Sequence, residues 1–198
     1  MPYNLRKPEV NMLARSIRIT FLILLSVTFV PAQSNVTNPP FLIVDTAKID
    51  GSGFVNQSLK FIVTAAETGG RMTVFETTEF PGYKTMWHRH DNCEETFYVL
   101  EGVLTVKSGG KTHHAPAGSF VYIARGTPHG QGNFSDRPVR FITTVTPGGI
   151  EALFRERNQA MKTIKPTDPT FASRLQAIRD KHRYWAETLG TWEPDSKP

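Results

Sequence analysis

The chain has a single cysteine, Cys93, among its 198 residues. That excludes an intramolecular disulfide framework and every multi-cysteine zinc or iron–sulfur pattern, so any metal must be held by histidine and carboxylate. Long hydrophobic runs are missing as well. The segment Ile19 to Val30 is apolar for 12 residues, short of the ~20 that a membrane-spanning helix needs. Positive charge is scarce where nucleic acid would require it. Of a net charge of +5, residues 1–32 contribute four basic against one acidic side chain, while residues 33–149 balance ten against ten and residues 150–198 carry nine against seven. The middle of the chain is neutral, and no nucleic-acid partner is expected. With 39% hydrophobic and 21% charged residues, one globular domain can be built without a disulfide or a metal to staple it. A bound metal would therefore serve chemistry.

The basic start of the chain has its own logic. Arg15 and Arg18 precede the apolar run, which closes on Pro31 and Ala32 before polar Gln33, the charge, core and small-residue order of a secretory signal. Residues 1–32 are thus expected to be a signal peptide, with a secreted or periplasmic mature protein beginning near Gln33 and no stable membrane anchor. Residues 33–54 read as a linker and first strand.

From there the pattern is all-β. Phe61–Ala65, Met72–Glu76, Thr85–His90, Thr96–Leu100, Val103–Lys107, Phe120–Ala124 and Arg140–Val145 are short and rich in β-branched or aromatic residues. Glycine and proline turns at Gly69-Gly70, Pro81-Gly82, Ser108 to Gly110, Pro116 to Gly118 and Gly126 to Pro128 separate them. This spacing predicts one antiparallel β-barrel over 55–146. After Pro147 the period becomes helical: Ile150, Leu153, Phe154 and Met161 share one face, then Phe171, Leu175, Ile178, His182 and Trp185 another. Asp168-Pro169 is a start signal and Gly190 a stop signal for the second helix. Residues 147–198 are read as a helical extension packed outside the barrel, its second apolar stripe offering a surface for a homodimer.

Chemistry concentrates between Gly82 and Asn133. His88 and His90 are two apart, so on a strand both imidazoles face one side. Glu95 has the opposite parity and joins them only if Asp91 to Glu94 turn and reset the register, which Asp91-Asn92 suits. Glu95, Phe97 and Val99 then face inward. His129, after Gly126-Thr127-Pro128, must be brought in by the barrel. The same alternation sends Trp87 and Arg89 outward. Among Phe75, Phe97, Tyr98 and Phe120, parity selects Phe97 to line a pocket. His113, His114 and His182 read as surface or hydrogen-bonded residues.

At these residues the chain resembles the cupin superfamily. Its first motif, glycine, five residues, His-x-His, three or four residues, glutamate, six residues, glycine, is met by Gly82, His88, His90, Glu95 and Gly102. Its second is met by Gly118, Gly126, His129 and Asn133, with Ala124 in place of a proline, a change that touches a turn and not a ligand. The resemblance implies an all-β cupin (double-stranded β-helix, jelly-roll) barrel and a metal held by His88, His90, Glu95 and His129. Glu94 is the rival carboxylate, disfavoured by the six residues from Glu95 to Gly102, and Cys93 sits in the connecting turn as a non-ligand. Resemblance to small quercetinase-like cupins implies a dioxygenase-type oxidoreductase acting on a small oxygenated, aromatic or enolisable substrate, with dioxygen as a co-substrate. Iron(II) or manganese(II) is the first expectation for the metal, with nickel, copper and zinc the alternatives. Glu95 is the expected general base, with its pKa lifted by an apolar interior. The competing readings are a metal-dependent isomerase or decarboxylase, and a non-catalytic germin-like or sugar-binding cupin.

Overall fold

The computed structural model describes residues 41–54 and 56–198; the apolar run and the cleavage expected near Gln33 lie outside the described residues. Six strands form one antiparallel sheet: β1 (Ser52–Phe54), β2 (Gln57–Val63), β3 (Thr73–Glu79), β5 (Glu94–Glu101), β8 (Phe120–Ile123) and β10 (Val139–Thr146), in the order β1-β2-β3-β10-β5-β8. Five more form a second sheet: β4 (Trp87–Arg89), β6 (Val103–Ser108), β7 (Lys111–Pro116), β9 (His129–Gly132) and β11 (Glu187–Gly190), in the order β11-β4-β9-β6-β7. Consecutive strands repeatedly change sheet, as in a jelly roll. The two sheets keep separate hydrogen-bond ladders, so the barrel expected from the turn spacing is an open two-sheet roll.

Alternation decides what lies between the sheets. Along β3, Thr73, Phe75, Thr77 and Glu79 are buried, and along β10 so are Val139, Phe141, Thr143 and Val145. One core cluster joins Phe97 and Val99 to Leu104, Val106, Ile123 and Phe141. The other joins Leu59, Phe75, Cys93, Val145 and Ile150, with Phe61, Phe154 and Trp185 packed against it. Each fully buried aliphatic or aromatic side chain contributes on the order of 1.5–3 kcal/mol. Gly102 makes the β5–β6 hairpin work: its φ is +77°, and a Cβ there would stand 2.8 Å from the Pro138 carbonyl. Only glycine tolerates both.

Helix α1 (Ala65–Thr68) carries a capping box between Thr64 and Glu67. Helix α2 (Glu151–Thr163) opens on buried Glu151, which accepts from the Ala65 amide at 3.0 Å and from the Thr73 hydroxyl at 2.6 Å. That carboxylate pins the helix to α1 and β3. Helix α3 (Phe171–Lys181) starts two residues later than Asp168-Pro169 suggests. Asp168 instead accepts from the Thr170 amide and hydroxyl, each at 2.7 Å, and shapes the turn before the helix. Gly190 does not stop a helix either. The chain leaves α3 at His182, and Glu187–Gly190 then runs as β11 along β4, so the two helices expected after Pro147 are followed by a strand that returns to the second sheet.

Three strands escaped the sequence pattern: β7, β9 and β11. Strand β9 reads His-Gly-Gln-Gly, poor in β propensity, and all four residues are buried. Its glycines admit close neighbours. At Gly130 an added Cβ would meet the Trp192 indole at 2.3 Å. Trp192 is buried and donates to the Thr85 carbonyl at 2.9 Å, which lays the chain end across the outside of β9.

Candidate metal centre

The two sheets meet at four side chains. Across the β4–β9 ladder His88 faces His129, and His90 follows two residues later on the same side as His88. Glu95 comes from the opposite sheet, near the start of β5, after Asp91 and Asn92 turn the chain. One ligand atom from each of His88, His90, Glu95 and His129 lies within 4.8 Å of the other three. His90, Glu95 and His129 are buried, while His88 stands half-buried at the opening. These are the residues, and the parity reset, that spacing pointed to.

Backbone carbonyls orient the imidazoles. His88 Nδ1 lies 2.8 Å from the Met86 carbonyl, His129 Nδ1 2.9 Å from that of Thr127, and His90 Nδ1 2.5 Å from that of Trp185. A carbonyl can only accept, so each Nδ1 donates to it and each ring turns its Nε2 inward. Two of those nitrogens face Glu95 Oε2, at 3.2 Å from His90 and 3.1 Å from His129. An imidazole nitrogen set against a carboxylate oxygen at this distance needs a proton or a metal ion between them. Ligand atoms bound at roughly 2.0–2.2 Å to one ion lie at most about 4.4 Å apart, so a small inward adjustment seats these residues as a three-histidine, one-carboxylate centre. Carbonyl partners on the far ring nitrogens are the usual means of fixing metal-binding histidines.

Electrostatics follow the same arrangement. Burial opposes charge on His90, yet the Glu95 carboxylate overrides it and raises His90 well above the usual histidine range. His88 is pushed down to about 3 by burial and then by the positive potentials of His129 and His90, although part of its surface reaches solvent. Burial alone would lift Glu95, but His90 and His129 more than offset it and lower its pKa. Glu95 is thus a carboxylate poised to ligate, and not the raised-pKa base that an apolar interior suggested.

Around the centre the wall differs from expectation in one respect. A cavity of about 360 Å³ opens beside the ligands, lined by Phe75, Leu59, Met86, Ile150 and Phe154 among others. Phe97 does not line it; the ring packs against Phe141 with centroids 5.4 Å apart, deeper in the first core cluster. Tyr98 and Phe120 are exposed. Alternation separates inward from outward but does not say which end of the interior a residue reaches. Met86 does reach the cavity with His88, and Arg89 is turned outward to Asp91 at 3.1 Å and Glu187 at 2.8 Å, as alternation predicts.

The other candidates are not among the four converging ligand atoms. Glu94 pairs loosely with Arg125 at 3.8 Å, Cys93 is buried in the second core cluster and interacts with the His90 ring, and His114 bonds Thr105 and Ser196. His182 lies 2.7 Å from Glu156. The turn before His129, where Ala124 stands, is held by other means: the Gly126 amide donates to the His90 carbonyl at 2.8 Å, and that of Thr127 to Ala124 at 3.2 Å. Asn133 donates to the carbonyls of Glu79 and Arg137 and accepts from Ser135. Sequence reasoning missed buried Glu79, which its parity with Phe75 and Thr77 on β3 would have revealed. Leu175 and Ile178, from the apolar stripe of α3, also line the cavity.

Two facing antiparallel sheets with an inward-facing three-histidine, one-glutamate cluster define a cupin-like jelly roll whose interior could hold a metal ion. The family model described as Cupin domain matches residues 76–145, the segment that carries the four side chains. It is 25% identical over 100 residues to quercetin 2,3-dioxygenase of Bacillus subtilis (strain 168), covering 50% of this chain and 29% of that protein. The chain therefore spans under a third of that relative. Among solved structures, a predicted oxalate decarboxylase from Thermotoga maritima superposes with a TM-score of 0.51 at 17% identity, over 54% of this chain and 99% of the other. KdgF from Halomonas sp. does so with a TM-score of 0.51 at 14% identity, over 57% and 98%. At such identities the two structures speak for the fold alone. No helix among the described residues is long and apolar enough to cross a membrane.

Proposed function

We propose that this protein is an exported, metal-dependent oxidoreductase of the dioxygenase type, acting on a small oxygenated substrate that is aromatic or enolisable. The observation that carries the reading is the convergence of three carbonyl-oriented imidazoles and one carboxylate on the wall of an apolar cavity. His88, His90, Glu95 and His129 would hold iron(II) or manganese(II). When bound, such an ion supplies a Lewis acid with open positions for oxygen donors. The chain does the rest. Phe75, Leu59 and Ile150 exclude water and hold an apolar substrate body, and half-buried His88 marks the side from which substrate enters. Glu95, kept anionic by His90 and His129, is placed to take a substrate hydroxyl proton at Oε2. Similarity to the Bacillus dioxygenase favours an oxygen-consuming reaction over a redox-neutral one.

The test loads the purified protein with iron(II) or manganese(II) under anaerobic conditions and follows oxygen uptake with catechols and enolisable diketones. Uptake that needs the metal and is abolished by His88→Ala supports the reading. Turnover without oxygen uptake refutes the dioxygenase and leaves a metal-dependent isomerase or decarboxylase. Failure to retain any divalent ion refutes both.

A further inference from the structure

Two polar side chains on the β2–β3 wall of the cavity have an atom left over. Gln57 Oε1 and Thr77 Oγ1 are out of solvent without a hydrogen-bond partner, in residues 6% and 1% exposed. Both residues line the cavity beside Leu59 and Phe75. In the β2–β3 ladder Leu59 stands opposite Thr77 and Gln57 opposite Glu79, which makes Gln57 and Thr77 diagonal neighbours on one face. Such neighbours lie about 7–8 Å apart, a gap that long side chains span. The two groups form one small polar patch in an apolar wall.

Their surroundings explain why these atoms stay unpaired. Thr77 has Leu59 across from it on β2 and Phe141 across from it on β10, and neither side chain can bond a hydroxyl. Gln57 is held by a hydrogen bond to the Tyr83 phenol. Because Oε1 has no partner, that bond comes from the amide nitrogen, and the oxygen is the end left over. No hydrogen bond joins it to Glu79 across the ladder. A buried polar atom without a partner is costly, and two of them on one cavity wall point to a group that arrives from outside.

An amide oxygen only accepts, whereas a threonine hydroxyl both donates and accepts. One hydroxyl on a ligand answers both, giving its proton to Gln57 and taking that of Thr77. A carboxylate or an ether has no proton to offer Gln57. An ammonium would meet Lys84, Arg157 and Arg179, which line the same cavity, and like charges in a partly desolvated space disfavour it. We propose that Gln57 and Thr77 form a hydroxyl-binding subsite, so that the substrate carries a neutral hydroxyl for this pair besides the oxygen function it presents to the metal centre. The inference rests on the metal-dependent reading above and narrows its substrate class. About 360 Å³ is at the small end of ligand pockets, which run roughly 300–1,000 Å³, and it suits a single ring with a short hydroxylated arm.

Anaerobic calorimetric titration of the manganese(II)-loaded protein tests this, comparing 4-(hydroxymethyl)-, 4-(2-hydroxyethyl)- and 4-(3-hydroxypropyl)catechol with the methyl, ethyl and propyl analogues. At least one hydroxylated member should bind about ten-fold or more tightly than its hydrocarbon analogue, and O-methylation of its arm should erase the gain. The preference should persist in protein stripped of metal by a chelator, fall below about two-fold in Thr77→Val and in Gln57→Leu, and be kept in Thr77→Ser. Thermal melting gives a second readout. Thr77→Val removes a group that bonds nothing in the ligand-free fold, so it should melt no lower than wild type; a lower melting temperature would reveal a partner within the fold and overturn the proposal. If Gln57→Leu does not fold, Thr77→Val decides. Preferences under about two-fold in all three pairs overturn the subsite, and with manganese retained they leave the metal-dependent reading standing. A preference that survives both substitutions places the hydroxyl elsewhere and also overturns it. Protein that retains no metal yet shows the Thr77-dependent preference defeats the proposed function and upholds the subsite.

Discussion

Gly130→Ala is the sharpest probe of how the chain end supports the centre. The new Cβ would lie 2.3, 2.7 and 2.8 Å from the Trp192 atoms Nε1, Cε2 and Cδ1. Comfortable carbon contacts begin near ~3.5 Å, so the indole must retreat by about 1 Å, and the 2.9 Å bond from its Nε1 to the Thr85 carbonyl breaks. Overpacking of this kind costs about 1–3 kcal/mol. The upper bound is complete loss of the indole, about 3–5 kcal/mol for Trp→Ala. Urea denaturation of wild type, Gly130→Ala, Trp192→Ala and the double variant forms a cycle. With the indole gone, the three nearest obstacles to a Cβ at 130 are removed, and replacing a flexible glycine in a strand stabilises by about 0.5–1 kcal/mol. The expected coupling is therefore at least about 1.5 kcal/mol. An equal cost for Gly130→Ala in both backgrounds would refute the docking of Trp192 on β9.

Three further outcomes are expected. Alanine at His88, His90 or His129 should lower metal content by at least about ten-fold in affinity, the smaller end of losses seen when groups merely supporting a ligand are changed; Glu94→Gln and His114→Ala should not, as measured by elemental analysis after dialysis. Burial raises Glu79 well above the usual carboxyl range, Gln131 opposing it and Glu95 adding to it; folded Glu79 stays protonated where the unfolded chain ionises, so stability falls as pH rises above about 4.3, by up to about 1.4 kcal/mol per pH unit, until the folded pKa is passed. Glu79→Gln should thus melt like wild type near pH 4 and higher than wild type at pH 8, and identical pH profiles for the two would count against a protonated Glu79. Finally, protein recovered outside the cytosol should begin near Gln33 by N-terminal sequencing, and an intact Met1 on exported protein would contradict the signal reading.

The four ligands were legible because their signal is local: residue type, strand parity and one turn put His88, His90 and Glu95 together, and Gly126-Thr127-Pro128 marks His129. What was not legible depends on contacts between distant segments. The Trp185 carbonyl has no side-chain signature, yet it orients His90. Strand β9 hides behind two glycines that exist to admit Trp192 and Lys84, so propensity argues against a strand where packing demands one. Gly190 resembles a helix stop, but hydrogen bonding to β4 overrides the helical period after His182. Phe75 and Phe97 both face inward, and only the placement of α2 and α3 decides which of them meets the cavity.

Pairing of β11 with β4 carries a consequence for biosynthesis. The strand that bears His88 is three residues long, and its partner on one side is drawn from the last dozen residues of the chain. Translation delivers the histidines and Glu95 long before it delivers Trp185, β11 and Trp192. A nascent chain, or one cut short by damaged message or proteolysis, holds all four ligands but lacks the carbonyl that aims His90 and the strand that steadies β4. The candidate ligands are thus fully oriented only once Trp185 and β11 are in place.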